Sequence, residues 1–181
     1  TELGNGYLRE KALDDRIGCA IMVDILNKNL PYDVTCVFTV QEEIGTRGAK
    51  VAAYTVKPDY AIVLETTTAC DFSGNDGEKR VCELGRGCVV SYMDRSTIYD
   101  RELYRLGFEK AKEINVPCQT KTLVAGGNDS GAIHSSVGGI RTVALSVPCR
   151  YLHSTSCMIK KSDVQSTAEL AYAMYLALAE K

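Results

Sequence analysis

The sequence lacks an excess of either charge: its 181 residues carry 21 Lys and Arg against 23 Asp and Glu, a formal charge of −2. No run of five like charges breaks that balance, which excludes a polyanion-binding face or a charged tail, and nucleic acid is not an expected partner. Long apolar runs are also missing. They reach about half a dozen residues, against the ~20 that span a bilayer, so no membrane partner is expected. The opening TELGNGYLREK has no apolar core of a secretory leader. Glycines are present, but without Walker or dinucleotide spacing, so a phosphate cradle is excluded. Histidine is scarce, with only His134 and His153.

Cysteine is plentiful, but it lacks pairing. None of the eight stands in a C-x-x-C pair. Cys36 in VTCVFTV and Cys88 in GCVVSYM lie inside apolar runs, where a thiol serves as a small buried hydrophobe. A disulfide framework belongs to shorter, loop-rich secreted chains. A reducing cytoplasmic location is therefore expected.

What the sequence does contain is an ordinary globular composition, 45% hydrophobic and 24% charged, long enough for one domain with a real core. Ile17, Ile21, Ile25, Met22 and Leu26 recur at helical spacing and predict a helix over Leu13–Leu30, ended by Pro31. Val34–Val40 is β-branched and alternating, which predicts a strand. A short helix is predicted within 45–54, and strands over Asp59–Leu64 and Gly87–Met93. Asp100 is placed to cap a helix with Leu103, Leu106, Ala111 and Ile114 on its inner face, stopped by Pro117. Strands over Lys121–Ala125 and Thr142–Val147 flank a Gly-rich, partly helical stretch around 132–137. Ser162–Gln165 reads as a capping box opening a last helix with Val164, Ala168, Ala171, Met174 and Leu178 on one stripe. The polar segment 72–80 reads as a surface loop. Continuous apolar strands separated by helices predict an α/β sheet covered on both faces.

In such sheets, ligands gather beyond the carboxyl ends of the strands. There the sequence places Glu42 and Glu43 after Val40, Glu65 after Leu64, and His153 shortly after Val147. Asp14 stands at the start of the first helix. Alone, each has a plainer reading: a solvated acidic turn, a structural histidine, a helix cap. Together they offer the carboxylate oxygens and imidazole nitrogen that a divalent cation takes as ligands.

The segments ALDDRIG, FTVQEEIGTRGA, AIVLETTTACD and GGNDSGAIHSSVGGIRTVALSVPCRYLHS occur in this order across nearly the whole chain. They resemble metallopeptidase family forty-two, the glutamyl and deblocking aminopeptidases, some of them once labelled cellulases. The resemblance implies a three-layer α/β/α fold of the metallo-aminopeptidase (phosphorylase/hydrolase-like) type, with a mixed, mostly parallel sheet flanked by helices. It implies two divalent metal ions, zinc, cobalt or manganese, with Asp14 bridging them, Glu43 and His153 completing one site and Glu65 binding the other. Glu42, left unligated, is implied as the general base. Peptides are the implied substrates, and a homo-oligomer the implied assembly of a full-length protein.

Two departures stand out. The family commonly has Asp where this chain has Glu65, and one methylene changes the carboxylate's reach by roughly an ångström, given C–C bonds of ~1.5 Å. These enzymes also draw a His from an H-x-D motif in their N-terminal part, and neither His134 nor His153 lies in one. Residues 1–181 are therefore expected to be a single catalytic-domain segment lacking the N-terminal part and an inserted dimerisation domain. His134 is expected to be structural, Asp129 a helix cap or rim residue, and Gly45, Gly48, Gly126 and Gly127 turn formers beside the site. The alternative is a non-catalytic relic or partner-binding α/β domain with a degenerate metal site. A Mg²⁺-dependent phosphoester hydrolase using the same acids would require a phosphate cradle or basic clamp, and the sequence shows neither.

Overall fold

The computed structural model of the protein describes residues 1–181, the side chain of Glu78 excepted. Its strands are β1 (Tyr7–Glu10), β2 (Tyr60–Thr68), β3 (Cys88–Val90), β4 (Cys118–Thr120), β5 (Arg141–Cys149) and β6 (Cys157–Lys160). Its helices are α1 (Leu13–Leu26), α2 (Arg47–Val56), α3 (Arg101–Glu113), α4 (Ser130–Ile133) and α5 (Lys161–Ala179). Four strands form one mixed sheet in the order β2-β5-β3-β4. β2 runs parallel to β5 and β4 parallel to β3, while β3 and β5 are antiparallel. β1 and β6 make a separate antiparallel pair.

β5 is the spine of the sheet, buried from Thr142 to Cys149. Its period-two alternation sorts its side chains between two faces. Val143, Leu145, Val147 and Cys149 join Leu103, Leu170, Met174 and Leu178 in the main core. On that face α5 packs against α1 and α3. Leu170 and Met174 of α5 are fully buried, each contributing roughly 1.5–3 kcal/mol through apolar burial. Ser146 points the other way, beside its register partner Glu65 on β2. On that second side α2 and α4 pack together, and α4 touches β5. The expected α/β sheet with helices on both faces is what the chain forms.

All eight cysteines are free. Burial pushes the Cys88 and Cys149 thiols up to about 12, as befits inert apolar packing groups. Among the described residues no helix is long and apolar enough to cross a membrane.

Several local expectations shift. α1 ends at Leu26, where Asn27 and Lys28 turn back onto Val23 and Ile25; the residue before Pro31 is disfavoured in helix, so the chain has already turned. Val34–Val40 joins no ladder: it has strand chemistry, but no described strand lies beside it to complete its hydrogen bonds. β4 lies at 118–120 rather than 121–125. Ser162 does not cap α5, because β6 runs directly into a helix that has begun at Lys161. Asp163 instead accepts hydrogen bonds from the Gly85 and Gly87 N–H groups at 2.6 and 2.9 Å. Asp100 does cap α3, its Oδ1 accepting from Glu102 and Leu103 N–H.

Candidate active site

β2 is an edge strand of the larger sheet. A cleft of about 1700 Å³ opens against it, with residues 33–39, the 42–46 turn and the loop around 126–129 as further walls. Asp14, Glu42, Glu43, Glu65, Asn128, Asp129 and His153 all line it. Three of the predicted residues meet closely. His153 Nε2 lies 3.1 Å from Asp14 Oδ2 and 3.4 Å from Glu43 Oε2, and one ligand atom from each residue falls within 4.8 Å of the others. Glu65 stands apart from this group, on the cleft wall formed by β2.

Local chain geometry produces the arrangement. Asp14 and Asp15 have non-helical angles, with ψ of 108° and 49°, so both acids leave the α1 spiral at its start. Asp15 folds back to accept the Gly18 N–H at 3.1 Å. A Cβ on Gly18 would stand 2.2 Å from Asp15 Oδ2, so glycine is what leaves that carboxyl its room. In the 42–46 turn the Gly45 and Thr46 N–H groups both donate to Glu42 O. This leaves Glu42 half-buried and Glu43 exposed, the turn sending the two neighbouring side chains in different directions.

His153 sits in a loop closed by reciprocal backbone bonds between Arg150 and Met158. Arg150 further clamps Asp71 through Nε and a terminal nitrogen, at 2.5 and 2.9 Å. Burial pushes the Asp71 carboxyl up, but Arg150 and the Leu84 N–H outweigh it and hold the group below its usual range. Tyr151 and His153 both take φ of 59°, a left-handed conformation uncommon outside glycine. The loop is thus held by its ends in a shape that turns the imidazole toward Asp14.

The cleft is strongly acidic. Burial, reinforced by the charges of Asp129, Glu43 and Asp14 and opposed by His153, pushes Glu42 up to about 7. Burial likewise pushes Asp15 up to about 8, against the Gly18 hydrogen bond, with Asp14, Glu42 and Asp129 acting in the same direction as burial. Glu65 is raised well above the usual range, first by its burial, while Lys121 and Asn128 pull it down and Asp15 and Asp14 push it up. Carboxylates crowded this way repel one another unless positive charge is supplied.

Three further residues line the cleft: Asn128 and Asp15 (the latter next to Asp14), which were not among the site candidates, and Asp129, expected as a helix cap or rim residue. Asp129 does not cap α4; its Oδ2 accepts from Thr39 Oγ1 at 2.6 Å, and its buried Oδ1 has no hydrogen-bond partner among the described residues. Asn128 donates to Glu65 Oε1 at 2.7 Å. Residues 128 and 129 directly precede α4, and that position beside a glycine pair was the only sequence signal for them. His134 stays outside the cluster, its Nδ1 2.8 Å from Ser130 O, a local structural contact.

Comparison with known proteins places this arrangement in context. The family model for M42 glutamyl aminopeptidase matches residues 1–170. A lysyl aminopeptidase from Pyrococcus furiosus is 34% identical over 177 residues, covering 96% of this chain and 50% of that protein. Among solved structures, the aminopeptidase APDkam598 from the archaeon Desulfurococcus kamchatkensis superposes with a TM-score of 0.91 at 30% identity, over 96% of this chain and 50% of that one. The TET1 peptidase of Pyrococcus horikoshii, which can assemble into a tetrahedron or a large octahedral shell, gives a TM-score of 0.82 at 31% identity, over 99% and 52%. The chain spans about half the length of the curated relatives it matches.

Proposed function

Since the chain belongs to the M42 glutamyl aminopeptidase family, we propose that its cleft is one wall of an aminopeptidase active site that works with two divalent cations. The observation that carries this reading is the approach of His153 to Asp14 and Glu43 at 3.1 and 3.4 Å, inside a pocket crowded with acids. Carboxylate oxygens and one imidazole nitrogen suit zinc, cobalt or manganese. Asp14, Glu43 and His153 would hold one cation, and Glu65, with Asp14 shared, the other. Bound there, the cations supply Lewis acidity toward a water and a peptide carbonyl.

The remaining chemistry falls to the chain itself. Glu42 lies beside the triad without joining it, half-buried and with a proton affinity near neutral. It takes the proton of the attacking water and returns it to the leaving amine. Peptides with a free N-terminus are the proposed substrates. Assembly of the whole protein into a homo-oligomer is proposed by likeness to the TET1 particle.

The test is Glu42→Gln, with Co²⁺ binding and release of N-terminal residues from peptides measured side by side. The variant keeps the cations and loses at least about 100-fold in turnover, the lower end of what a positioned acid–base group contributes. Near-parental rates in the variant would remove Glu42 from its role. A parent protein silent to micromolar Zn²⁺ and Co²⁺ would instead favour a non-catalytic, partner-binding domain, a reading kept open by His153 being the one imidazole lining the cleft.

A further inference from the structure

Glu65 is joined to a buried chain of hydrogen bonds that the reading above does not use. Asn128 Oδ1 accepts the Ser130 N–H at 2.8 Å. A backbone N–H can only donate, so this contact fixes the amide's orientation and directs both Nδ2 hydrogens elsewhere. One goes to Glu65 Oε1 at 2.7 Å and the other to Tyr99 Oη at 2.9 Å. Tyr99, accepting there, gives its own hydrogen to Asp94 Oδ2 at 2.6 Å. Asp94 Oδ1 is in turn occupied by the Ser96 and Thr97 N–H groups and by Ser96 Oγ. Asp94, Tyr99 and Asn128 are 4%, 3% and 3% exposed. Every donor along this chain therefore has one direction, and no water is needed to complete it.

At the cleft end, Ser146 Oγ reaches the same Oε1 of Glu65 at 3.3 Å. Both protein hydrogen bonds thus fall on one oxygen of this carboxylate, and Oε2 receives none from the described residues. Glutamate has one more rotatable bond than aspartate, so its carboxylate needs such an anchor to hold a single orientation.

We propose that Asn128 is a positioning residue for the second cation site, holding Glu65 Oε1 against the protein so that Oε2 is the oxygen presented to the cation. Tyr99 and Asp94 act behind it by fixing the amide's other hydrogen. The inference rests on the di-cation reading of the cleft and deepens it.

Co²⁺ titration by calorimetry, with the visible absorption of bound Co²⁺ followed in parallel, tests it on the parent protein, Asn128→Ala and Tyr99→Phe. The parent takes Co²⁺ at two sites. Asn128→Ala keeps one site within about twofold and weakens the other by about 10- to 100-fold, as loss of a residue that orients a ligand does. Both affinities unchanged in a folded Asn128→Ala protein overturn the proposal while leaving the di-cation reading intact. Equal weakening at both sites overturns it too, since that marks a general disturbance of the fold. Should Asn128→Ala not fold, Tyr99→Phe decides by the same criterion: selective weakening of one site supports the role, and unchanged affinities overturn it. A parent that binds no Co²⁺ removes the di-cation reading and this inference together.

Discussion

His153 Nε2 and Asp14 Oδ2 stand 3.1 Å apart although most of the chain separates the two residues. Asp14 is delivered by the irregular first turn of α1, and His153 by a loop at the carboxyl end of β5, the central strand of its sheet. A contact between a helix start and a strand end is what the open α/β plan provides at its sheet edge. It is a polar contact rather than a packing one.

Replacing His153 by alanine removes the one nitrogen of this group. Cation affinity at the Asp14–Glu43 site falls by more than about 100-fold, beyond the range for a residue that merely orients a ligand. Titration calorimetry with Zn²⁺ or Co²⁺ reads the change directly. The loop remains closed through Arg150 and Met158, and His153 is 65% exposed at its side chain, so the denaturation midpoint stays near the parent's. An alanine variant that binds as tightly as the parent would show that the imidazole is a bystander.

Two residues of this group were legible in the sequence because topology and residue type agreed. Asp14 and His153 lie at element ends, at the start of α1 and beyond β5. Glu65, expected just past a strand ending at Leu64, lies inside β2, which runs on to Thr68. Glu42 and Glu43 follow a segment that forms no strand. The resemblance implied that Glu65 serves a different site from Glu43 and His153; what the sequence did not show is its register, which the β2–β5 ladder sets by aligning it with Ser146. Of the two readings of Asp129, helix cap or rim residue, the cap fails and the residue lines the cleft, because a helix N-terminus and a cleft wall use the same residue type. Val34–Val40 was misread as a paired strand because alternation reports a segment's chemistry, while a ladder needs a neighbour. The Ser162 box failed for a different reason. Its spacing is correct, but helix α5 starts before it, continuous with β6.

Asp100 supports a prediction about acid stability. Its hydrogen bonds to Arg141, opposed by burial and aided by the Leu103 N–H, hold its carboxyl below the usual range. A folded-state value below the unfolded one of about 3.9 means that the contribution is complete above that pH and lost as pH falls through the lower, folded value. At pH 7, Asp100→Ala costs about 1 kcal/mol for the cap and up to about 1 kcal/mol more for the partly exposed pair with Arg141. Urea midpoints at pH 7 and near pH 2.5 check this: the gap between parent and variant narrows in acid. A gap equal at both pH values would mean that the charge contributes nothing.

Tyr175 ties the segment that leads to Glu42 and Glu43 onto the core. Its ring is 7% exposed within α5, while its hydroxyl donates to Tyr32 O at 2.6 Å and accepts from Tyr32 N–H at 3.0 Å. Both backbone groups of Tyr32 therefore close on one oxygen, at the point where the chain leaves α1 for the unpaired stretch 34–40. Phenylalanine at position 175 keeps the packing and removes both bonds. Tyr32 is itself 41% exposed, so water takes up the freed groups and the global cost is about 1 kcal/mol rather than the sum of two buried losses. The local consequence is larger than the global one, because the amide of Tyr32 loses its only acceptor among the described residues. Hydrogen exchange there rises well beyond what the drop in overall stability accounts for, while amides of β5 slow or speed only with the global change. Uniform acceleration across β5 and Tyr32 would instead show that the tyrosine hydroxyl supports the whole core and not this one segment.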